Sequence, residues 1–274
     1  MDIDGIHYNY SEAGDPTNPA ILFLHNGGGD HRSWIYQLRD LSQDFHCVAL
    51  DIVGYGESTR PECAYTVEWM ADLTTKFIKK KFDKPISIVG NCIGGSSALE
   101  LIQNDPTLVS RLTILNTCFG PAGMSGVTKT FYQVLPKNMF LLKIIFNRIE
   151  TFMQSEGVQK ESLSQQFYNL HDSNNEGIEM EKKISIHPLQ KRSRRNTILG
   201  MKSFAKFSRP FKKDKLTLPI QVIWGKKNTV MSPKLGEWLA GYLGAPFYFM
   251  NKSFHMPMSE EPIEFNKLIR QLHT

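Results

Sequence analysis

The chain has 274 residues, enough for one large domain or for a domain with an inserted subdomain. Its composition is that of an ordinary globular protein, no apolar run is long enough to span a membrane, and the N-terminal segment lacks the basic and apolar regions of a signal peptide. The net charge of +5 is mild, and the four widely spaced cysteines contain no Cys-x-x-Cys pair, so no metal or other cofactor is predicted and a cytoplasmic location with reduced thiols is expected.

Strands and helices are predicted to alternate from the N-terminus to Gly120. An early hairpin is predicted around the turn Ala13-Gly14-Asp15-Pro16. Short apolar runs predict strands over 20–24, 47–50, 86–90 and 112–115, and helical periodicity predicts helices over 34–41 and 67–82 and from Ser96 to about Asp105. This alternation favours an α/β fold with a mostly parallel sheet flanked by helices on both faces.

The alternation stops at Gly120-Pro121 and resumes at the strand predicted over 218–225. The intervening segment predicts helices, over 131–153 and 161–170, and no buried strand. A last strand is predicted over 246–250 and a closing helix over 262–272. We therefore predict a core domain made of residues 1–120 and 216–274, interrupted by a helical lid of residues 121–215.

The most informative motif is Gly90-Asn91-Cys92-Ile93-Gly94-Gly95, which lies between an apolar run and a helical pattern. A strand, a sharp turn and a helix in this order are typical of a nucleophile elbow, where the nucleophile takes a strained backbone conformation. Small residues two positions before and after the nucleophile relieve the crowding, which explains Gly90 and Gly94. Cys92 is therefore the candidate nucleophile.

Two further elements also follow predicted strands. The loop His25-Asn26-Gly27-Gly28-Gly29 comes directly after the strand over 20–24, and its glycine-rich backbone can turn N–H groups toward a developing oxyanion. The backbone amides of Gly27 and Ile93 are the candidate oxyanion donors. His255 follows the last predicted strand and is the candidate general base for Cys92.

These elements resemble the α/β-hydrolase superfamily from about residue 6 to the C-terminus. The matching motifs are the loop 25–28, Asp51–Ser58, the elbow, Trp224-Gly225 before the acid loop, and Phe254-His255 with Glu260-Glu261-Pro262. Two positions depart from the family pattern, because Cys92 replaces the usual serine and Asn228 replaces the usual aspartate. The end of the strand before the lid, where such folds sometimes place the acid, carries Asn116 and is also uncharged.

The two departures are chemically consistent with each other. A thiol has a pKa of about 8.5 and can stand as a thiolate beside an imidazolium. The third residue then mainly orients the ring, which a neutral amide can do. The helix that begins behind Cys92 would favour the thiolate by about 0.3–1 kcal/mol. The predicted catalytic set is Cys92, His255 and Asn228.

The resemblance implies acyl transfer through a thioester on Cys92. Hydrolase-fold aminoacyltransferases with an active-site cysteine are similar at the elbow and the histidine, and they move aminoacyl groups between carrier-protein phosphopantetheine arms. The implied activity is that of an acyltransferase or thioesterase acting on carrier-protein or coenzyme A thioesters, with water, a thiol, an amine or an alcohol as acceptor. One alternative is a small-molecule ester or lactone hydrolase using the same residues, as in dienelactone hydrolases. Another is a non-catalytic binding module that kept the fold.

Basic residues are concentrated between Glu181 and Lys215. This segment contains twelve lysines and arginines but only two acidic residues. This pattern is typical of a solvated helical face. It also fits a docking surface over residues 182–215 for an acidic partner such as a carrier protein. No recognised nucleic-acid motif accompanies the charge, so nucleic acid is not a predicted partner.

Overall fold

The computed structural model describes residues 1–123, 138, 140–145, 157, 160, 163–172, 174–187, 190–208 and 210–273. Strands β1 (Asp2–Ile3) and β2 (Ile6–His7) form a small hairpin. The remaining strands are β3 (Tyr10–Ala13), β4 (Ala20–Leu24), β5 (His46–Leu50), β6 (Ile86–Asn91), β7 (Val109–Leu115), β8 (Ile220–Gly225) and β9 (Phe247–Met250). They form one sheet in the order β3-β5-β4-β6-β7-β8-β9.

The sheet is parallel at every junction except that between β3 and β5. The predicted fold class, a mostly parallel sheet, is therefore confirmed. The hairpin predicted around residues 13–16 is wrong, because β3 pairs antiparallel with β5 instead of with β4. Both edges of β4 are occupied by the parallel partners β5 and β6. The tight turn lies earlier, at Asp4 and Gly5, which have φ angles of 50° and 77°.

Helices cover both faces of the sheet. The α-helices whose bounds lie within the described residues are α1 (Ile35–Leu41), α2 (Val67–Lys81), α3 (Ile93–Asn104), α4 (Glu176–Ser185), α5 (Gln190–Gly200), α6 (Pro233–Leu243), α7 (Pro257–Glu260) and α8 (Pro262–His273). Successive side chains of a strand point to opposite faces, so Leu22 and Leu24 pack in the layer with α2 and α3, while Ile21 and Phe23 pack in the layer with α1 and α8. A continuous apolar run is what burial on both faces requires.

The described residues between β7 and β8 contain helices and no strand. They include α4, α5 and a 3-10 helix at Met201–Ser208. Most of the helix predicted over 131–153 lies outside the described residues, although 140–145 is helical. Of the helix predicted over 161–170, residues 163–164 are helical and 165–170 are turns or irregular. From here on, the predicted helical lid of residues 121–215 is called the cap, and the division into core and cap stays a prediction. Within the described residues, no helix is both long and apolar enough to cross a membrane.

Glu181 is a charged residue that the fold buries between the cap and the core. It lies on α4 and is 4% exposed. Burial raises the pKa of its carboxyl to about 8, and the nearby Ser33 opposes the shift only in part. A carboxyl with this pKa is mostly protonated at neutral pH, so the contact between α4 and the core holds a neutral acid.

Candidate active site

Cys92 occupies the turn between β6 and α3, with a φ of 53° and a ψ of −111°. A positive φ is strained for a residue with a side chain, and it directs the thiol away from the sheet at the carboxyl ends of the strands. The turn brings neighbouring backbone segments very close together. A Cβ on Gly90 would lie 2.7 Å from the backbone of Gly94 and Gly95, and one on Gly94 would lie 2.4 Å from the carbonyl oxygen of Leu24. The two glycines therefore allow the turn, as the sequence motif predicts.

The thiol of Cys92 lies among hydrogen-bond donors. The pKa of Cys92 is well below its usual value, first because of the neighbouring thiol of Cys118, and then because of the hydrogen bonding and charge of His255 and the backbone N–H of Gly27. Burial opposes the shift, since Cys92 is only 7% exposed. The start of α3 adds the positive end of a helix behind the sulfur. This environment favours a thiolate, the reactive form of cysteine.

The loop after β4 provides the predicted oxyanion donor Gly27. The loop is a turn in which the N–H of Gly29 donates to the carbonyl of Asn26 at 3.0 Å, and Gly28 has a φ of 99°. A Cβ on Gly27 would lie 3.6 Å from the side chain of Ile93, so the loop and the start of α3 are adjacent. Ile93 is the first residue of α3, where a helix leaves its N–H groups without an intrahelical acceptor.

His25 fixes this loop and does not act as a base. Its Nδ1 donates to the carbonyl oxygen of Asn26 at 2.8 Å, and its Nε2 accepts from the N–H of Ile52 at 3.0 Å. The ring is fully buried, which lowers the pKa of His25. Both ring nitrogens are occupied by backbone groups, so His25 has a structural role.

Asn228 contacts the ring of His255 directly, at Nδ1. The distance between Nδ2 of Asn228 and Nδ1 of His255 is 3.1 Å, and both side chains are buried. The structure therefore brings together the three predicted catalytic residues, which come from the ends of β6, β8 and β9.

The orientation of the Asn228 amide is fixed by its other partners. Its Oδ1 accepts from the backbone N–H groups of Val230 and Met231, at 2.9 and 3.0 Å. Its Nδ2 also donates to Oδ1 of Asn116 at 2.8 Å. Rotating the amide would set N–H groups against N–H groups, so the nitrogen must face His255.

The Asn228 amide in this orientation donates to Nδ1 of His255, which favours the tautomer with its proton on Nε2. An aspartate at position 228 would do the opposite, because a carboxylate accepts from an Nδ1–H. An imidazolium would also carry a proton on Nδ1, facing the amide nitrogen. The thiolate–imidazolium pair expected from the sequence stays a prediction, and the amide of Asn228 favours the ring form whose Nδ1 accepts a hydrogen bond.

Asn116 and Cys118 are parts of the site that the sequence analysis did not assign. Asn116 has a φ of 43° at the end of β7, accepts from the N–H of Gly225 at 3.1 Å, and donates to the carbonyl of His255 at 3.0 Å. Its position at the end of a strand could have marked Asn116 as part of the site, but its neutral amide cannot serve as the acid of a catalytic triad. Cys118, 1% exposed, has its backbone bonded to Cys92. No sequence motif marks it.

Residues 163–170 of the cap contact both loops that carry the site. The backbone N–H of His255 donates to the carbonyl of Gln166 at 2.9 Å, and Thr229 donates to the carbonyl of Gln165 at 2.9 Å. The carboxyl of Glu260 accepts from the N–H groups of Phe254 and Tyr168. The cap is therefore bonded to the backbone that positions His255 and Asn228.

Several basic residues of the 182–215 segment are paired with carboxylates of the core. Glu62 pairs with Arg192 and Arg195, and Lys206 pairs with Glu68 and Glu100. Lys183, Lys202, Lys212 and Lys215 are exposed, whereas Arg209 and the side chain of Lys191 lie outside the described residues. The long-range partners reduce the positive charge of this surface below that suggested by the sequence.

Comparison with known proteins identifies the fold family. The family model for the alpha/beta hydrolase fold matches residues 19–262. The dihydrolipoyllysine-residue acetyltransferase component of the acetoin cleaving system from Cupriavidus necator is 31% identical over 131 residues, which is 47% of this chain but only 35% of that protein. Epoxide hydrolase 3 from Xenopus tropicalis is 24% identical over 285 residues, covering 98% of this chain and 75% of that protein.

Solved structures share the same fold. An enol-lactonase from Burkholderia xenovorans LB400 superposes with a TM-score of 0.79 at 18% identity and covers 98% of this chain and 97% of its own. A thermophilic esterase from Thermogutta terrifontis superposes with a TM-score of 0.74 at 20% identity and covers 100% and 97%. Since the family model covers most of the sequence, the chain belongs to the alpha/beta hydrolase fold family, and Cys92 lies at the turn of its elbow.

Proposed function

We propose that the protein transfers acyl groups from one thiol to another through a thioester on Cys92. Carrier-protein and coenzyme A thioesters are the substrates that this reaction suits. The observation that carries the proposal is the amide nitrogen of Asn228 at Nδ1 of His255, because it favours a ring proton on Nε2, the nitrogen that is left to interact with Cys92. The site is thus arranged to donate a hydrogen bond and not to remove a proton.

Thioester exchange needs no strong base at this site. The Cys92 thiolate attacks the thioester carbonyl, the new C–S bond forms, and the old C–S bond breaks to release a thiolate whose basicity is similar to that of the nucleophile. The backbone amides of Gly27 and Ile93 would stabilise the intervening oxyanion. The return step uses the thiolate of an acceptor, and a few per cent of a free thiol is already ionised at pH 7.

Hydrolysis makes a different demand. Water has a pKa of about 15.7 and a thiol of about 8.5, so ionising water costs about 10 kcal/mol more. An enzyme meets that cost with a general base, which here would have to be Nε2 of His255 with a free lone pair. Since the Asn228 amide disfavours that tautomer, the acyl-enzyme is expected to resist water. Amines and alcohols, which also need a base, are poorer acceptors for the same reason.

The relatives agree with acyl chemistry without fixing the acceptor. One is named an acetyltransferase component, whereas structural neighbours are named an enol-lactonase and an esterase. Docking of an acidic carrier protein on residues 182–215 is part of the proposal, supported by the exposed lysines that lack a described carboxylate partner. Of these, Lys202, Lys212 and Lys215 lie in the C-terminal part of the segment.

The test separates loading from discharge. The protein is mixed with acetyl-coenzyme A and other acyl thioesters, and intact mass is followed with time. We expect an adduct on Cys92 that is absent in Cys92→Ala, survives in buffer, and is discharged when pantetheine is added, with acyl-pantetheine as product. Discharge at the same rate without pantetheine would instead identify a hydrolase, and no adduct with any thioester would contradict catalysis by Cys92.

A further inference from the structure

A second cysteine lies beside the nucleophile. The backbone N–H of Cys118 donates to the carbonyl of Cys92 at 3.2 Å. The hydroxyl of Ser96 lies 2.7 Å from the carbonyl oxygen of Cys118 and 3.3 Å from that of Cys92. Residues whose backbones are joined by an N–H···O=C bond are close neighbours, and a disulfide bridges Cα atoms about 4.4–6.8 Å apart.

The two sulfurs differ in access and in reactivity. Cys92 is 7% exposed and Cys118 is 1% exposed, with Sγ of Cys118 3.7 Å from Sδ of Met201. A small oxidant therefore meets Cys92 first. The interaction between the two thiols favours the thiolate on Cys92 and the protonated thiol on Cys118. An accessible thiolate with a neighbouring thiol is the arrangement of a redox-sensitive cysteine and its resolving partner.

We propose that Cys92 and Cys118 form a reversible disulfide when a hydroperoxide enters the active site. The site would thus be a target of oxidative modification as well as an acyl acceptor. This inference rests on the nearness of the two thiols and does not require that Cys92 carry an acyl group.

The reaction takes place in two steps. The Cys92 thiolate attacks the terminal oxygen of the hydroperoxide, the O–O bond breaks, and the alcohol or water leaves with a proton, which yields a sulfenic acid on Cys92. The sulfur of Cys118 then attacks the sulfur of Cys92. The S–S bond forms as the S–O bond breaks, and hydroxide leaves with the thiol proton of Cys118 as water. Two thiols lose two electrons to one hydroperoxide.

The disulfide would protect the nucleophile. Without a partner thiol, a sulfenic acid reacts with more oxidant to a sulfinic acid, which ordinary thiols do not reduce. With Cys118 in place, a dithiol reductant returns both residues to the reduced form. The other two cysteines serve as internal controls: burial raises the pKa of Cys47 on β5 to about 12, and it also raises the pKa of half-buried Cys63.

The experiment uses the full chain and hydrogen peroxide. After exposure, the protein is denatured, its free thiols are counted, and the intact mass and non-reduced peptides are measured. We expect the wild type to fall from four free thiols to two, to lose the mass of two hydrogen atoms, and to yield a linked peptide pair containing Cys92 and Cys118. Dithiothreitol should restore all four thiols.

Two variants make the test specific. Cys118→Ser keeps a hydroxyl that can donate to Cys92 but cannot form the disulfide, so Cys92 should gain oxygen atoms that dithiothreitol does not remove. Cys63→Ser should behave like the wild type apart from its missing thiol. Circular dichroism checks that each variant is folded. A wild type without the linked pair, or a Cys118→Ser protein whose oxidised Cys92 is fully recovered by dithiothreitol, would overturn the proposal.

Discussion

The side-chain amide of Asn228 presents its nitrogen, not its oxygen, to Nδ1 of His255, at 3.1 Å. The backbone N–H groups of Val230 and Met231 hold the oxygen on the other side. The position that carries an aspartate in the family pattern therefore offers the histidine a hydrogen-bond donor here instead of an acceptor. For the proposed acyl transfer, this bears on discharge of the acyl group more than on its loading.

The first expectation is that Asn228→Asp converts the site toward hydrolysis. A carboxylate would accept from an Nδ1–H and leave Nε2 free to take a proton from water. Since general base catalysis contributes about 10²–10⁴-fold, the acyl-enzyme should discharge to water faster by a factor in that range. The measurement is the decay of the Cys92 adduct by intact mass in buffer without an acceptor thiol. Asn228→Ala is the control: it removes the amide without adding a carboxylate and should not show this gain.

A second expectation couples positions 92 and 228. Cys92→Ser alone should be inactive, because a serine hydroxyl needs a base that the His255 tautomer does not provide. The double variant Cys92→Ser with Asn228→Asp restores the usual nucleophile and acid of the family, and we expect it to hydrolyse activated esters such as p-nitrophenyl acetate. Ester hydrolysis is compared across all four proteins in a double-mutant cycle. Additive effects of the two substitutions would show that the residues act independently.

Stability should depend on pH through Glu181. Its pKa is about 8 in the folded protein and about 4.3 in an unfolded chain, so the folded state retains a proton in this window that the unfolded state has lost. The stability from this group is fully present below the unfolded pKa and falls as the pH rises to about 8. Glu181→Gln removes this pH dependence. The free energy of unfolding of the variant relative to that of the wild type should therefore rise across the window, by on the order of a few kcal/mol.

Urea unfolding at several pH values measures this difference. The exposed Glu264 on α8 supplies the control, since Glu264→Gln should shift the unfolding free energy by a similar small amount at every pH. If Glu181→Gln were offset from the wild type by a constant amount, Glu181 would not be a protonated acid in the folded state.

The elbow should tolerate no side chain at Gly90. A Cβ there would lie 2.7 Å from the backbone of α3, so Gly90→Ala should lower the free energy of unfolding by about 1–3 kcal/mol, as overpacking does. Gly241 on α6 has no atom within 4 Å of an added Cβ, and Gly241→Ala should raise it by about 0.5–1 kcal/mol. Thermal unfolding of the two variants should therefore shift in opposite directions. Equal shifts would contradict the close approach at Gly90.

The sequence was informative wherever chemistry and local geometry coincide. Cys92 and His255 follow apolar runs, and the carboxyl ends of parallel strands meet at one edge of a sheet, so their proximity could be predicted from order alone. The spacing of Gly90 and Gly94 predicted the turn. The early hairpin could not be read in the same way, since the choice of partner for β3 depends on which edges of β4 are already occupied.

The orientation of Asn228 could not be predicted from the sequence. The backbone N–H groups of Val230 and Met231 decide it, together with Asn116 from a distant strand. The same limit applies to Cys118, whose nearness to Cys92 depends on where β7 ends. The pairing of Arg195 and Lys206 with core carboxylates is likewise long-range, which is why the charge of the segment 182–215 looked larger in the sequence than it is on the surface.

The backbone N–H of His255 donates to the carbonyl of Gln166, so the cap also supports the loop that carries His255. Residues 163–170 help to hold His255 in position. Exchanging the cap for that of a relative would therefore also change the alignment of the histidine. Cap exchanges in this protein should therefore preserve residues 163–170, so that a change in selectivity can be told apart from a misaligned site.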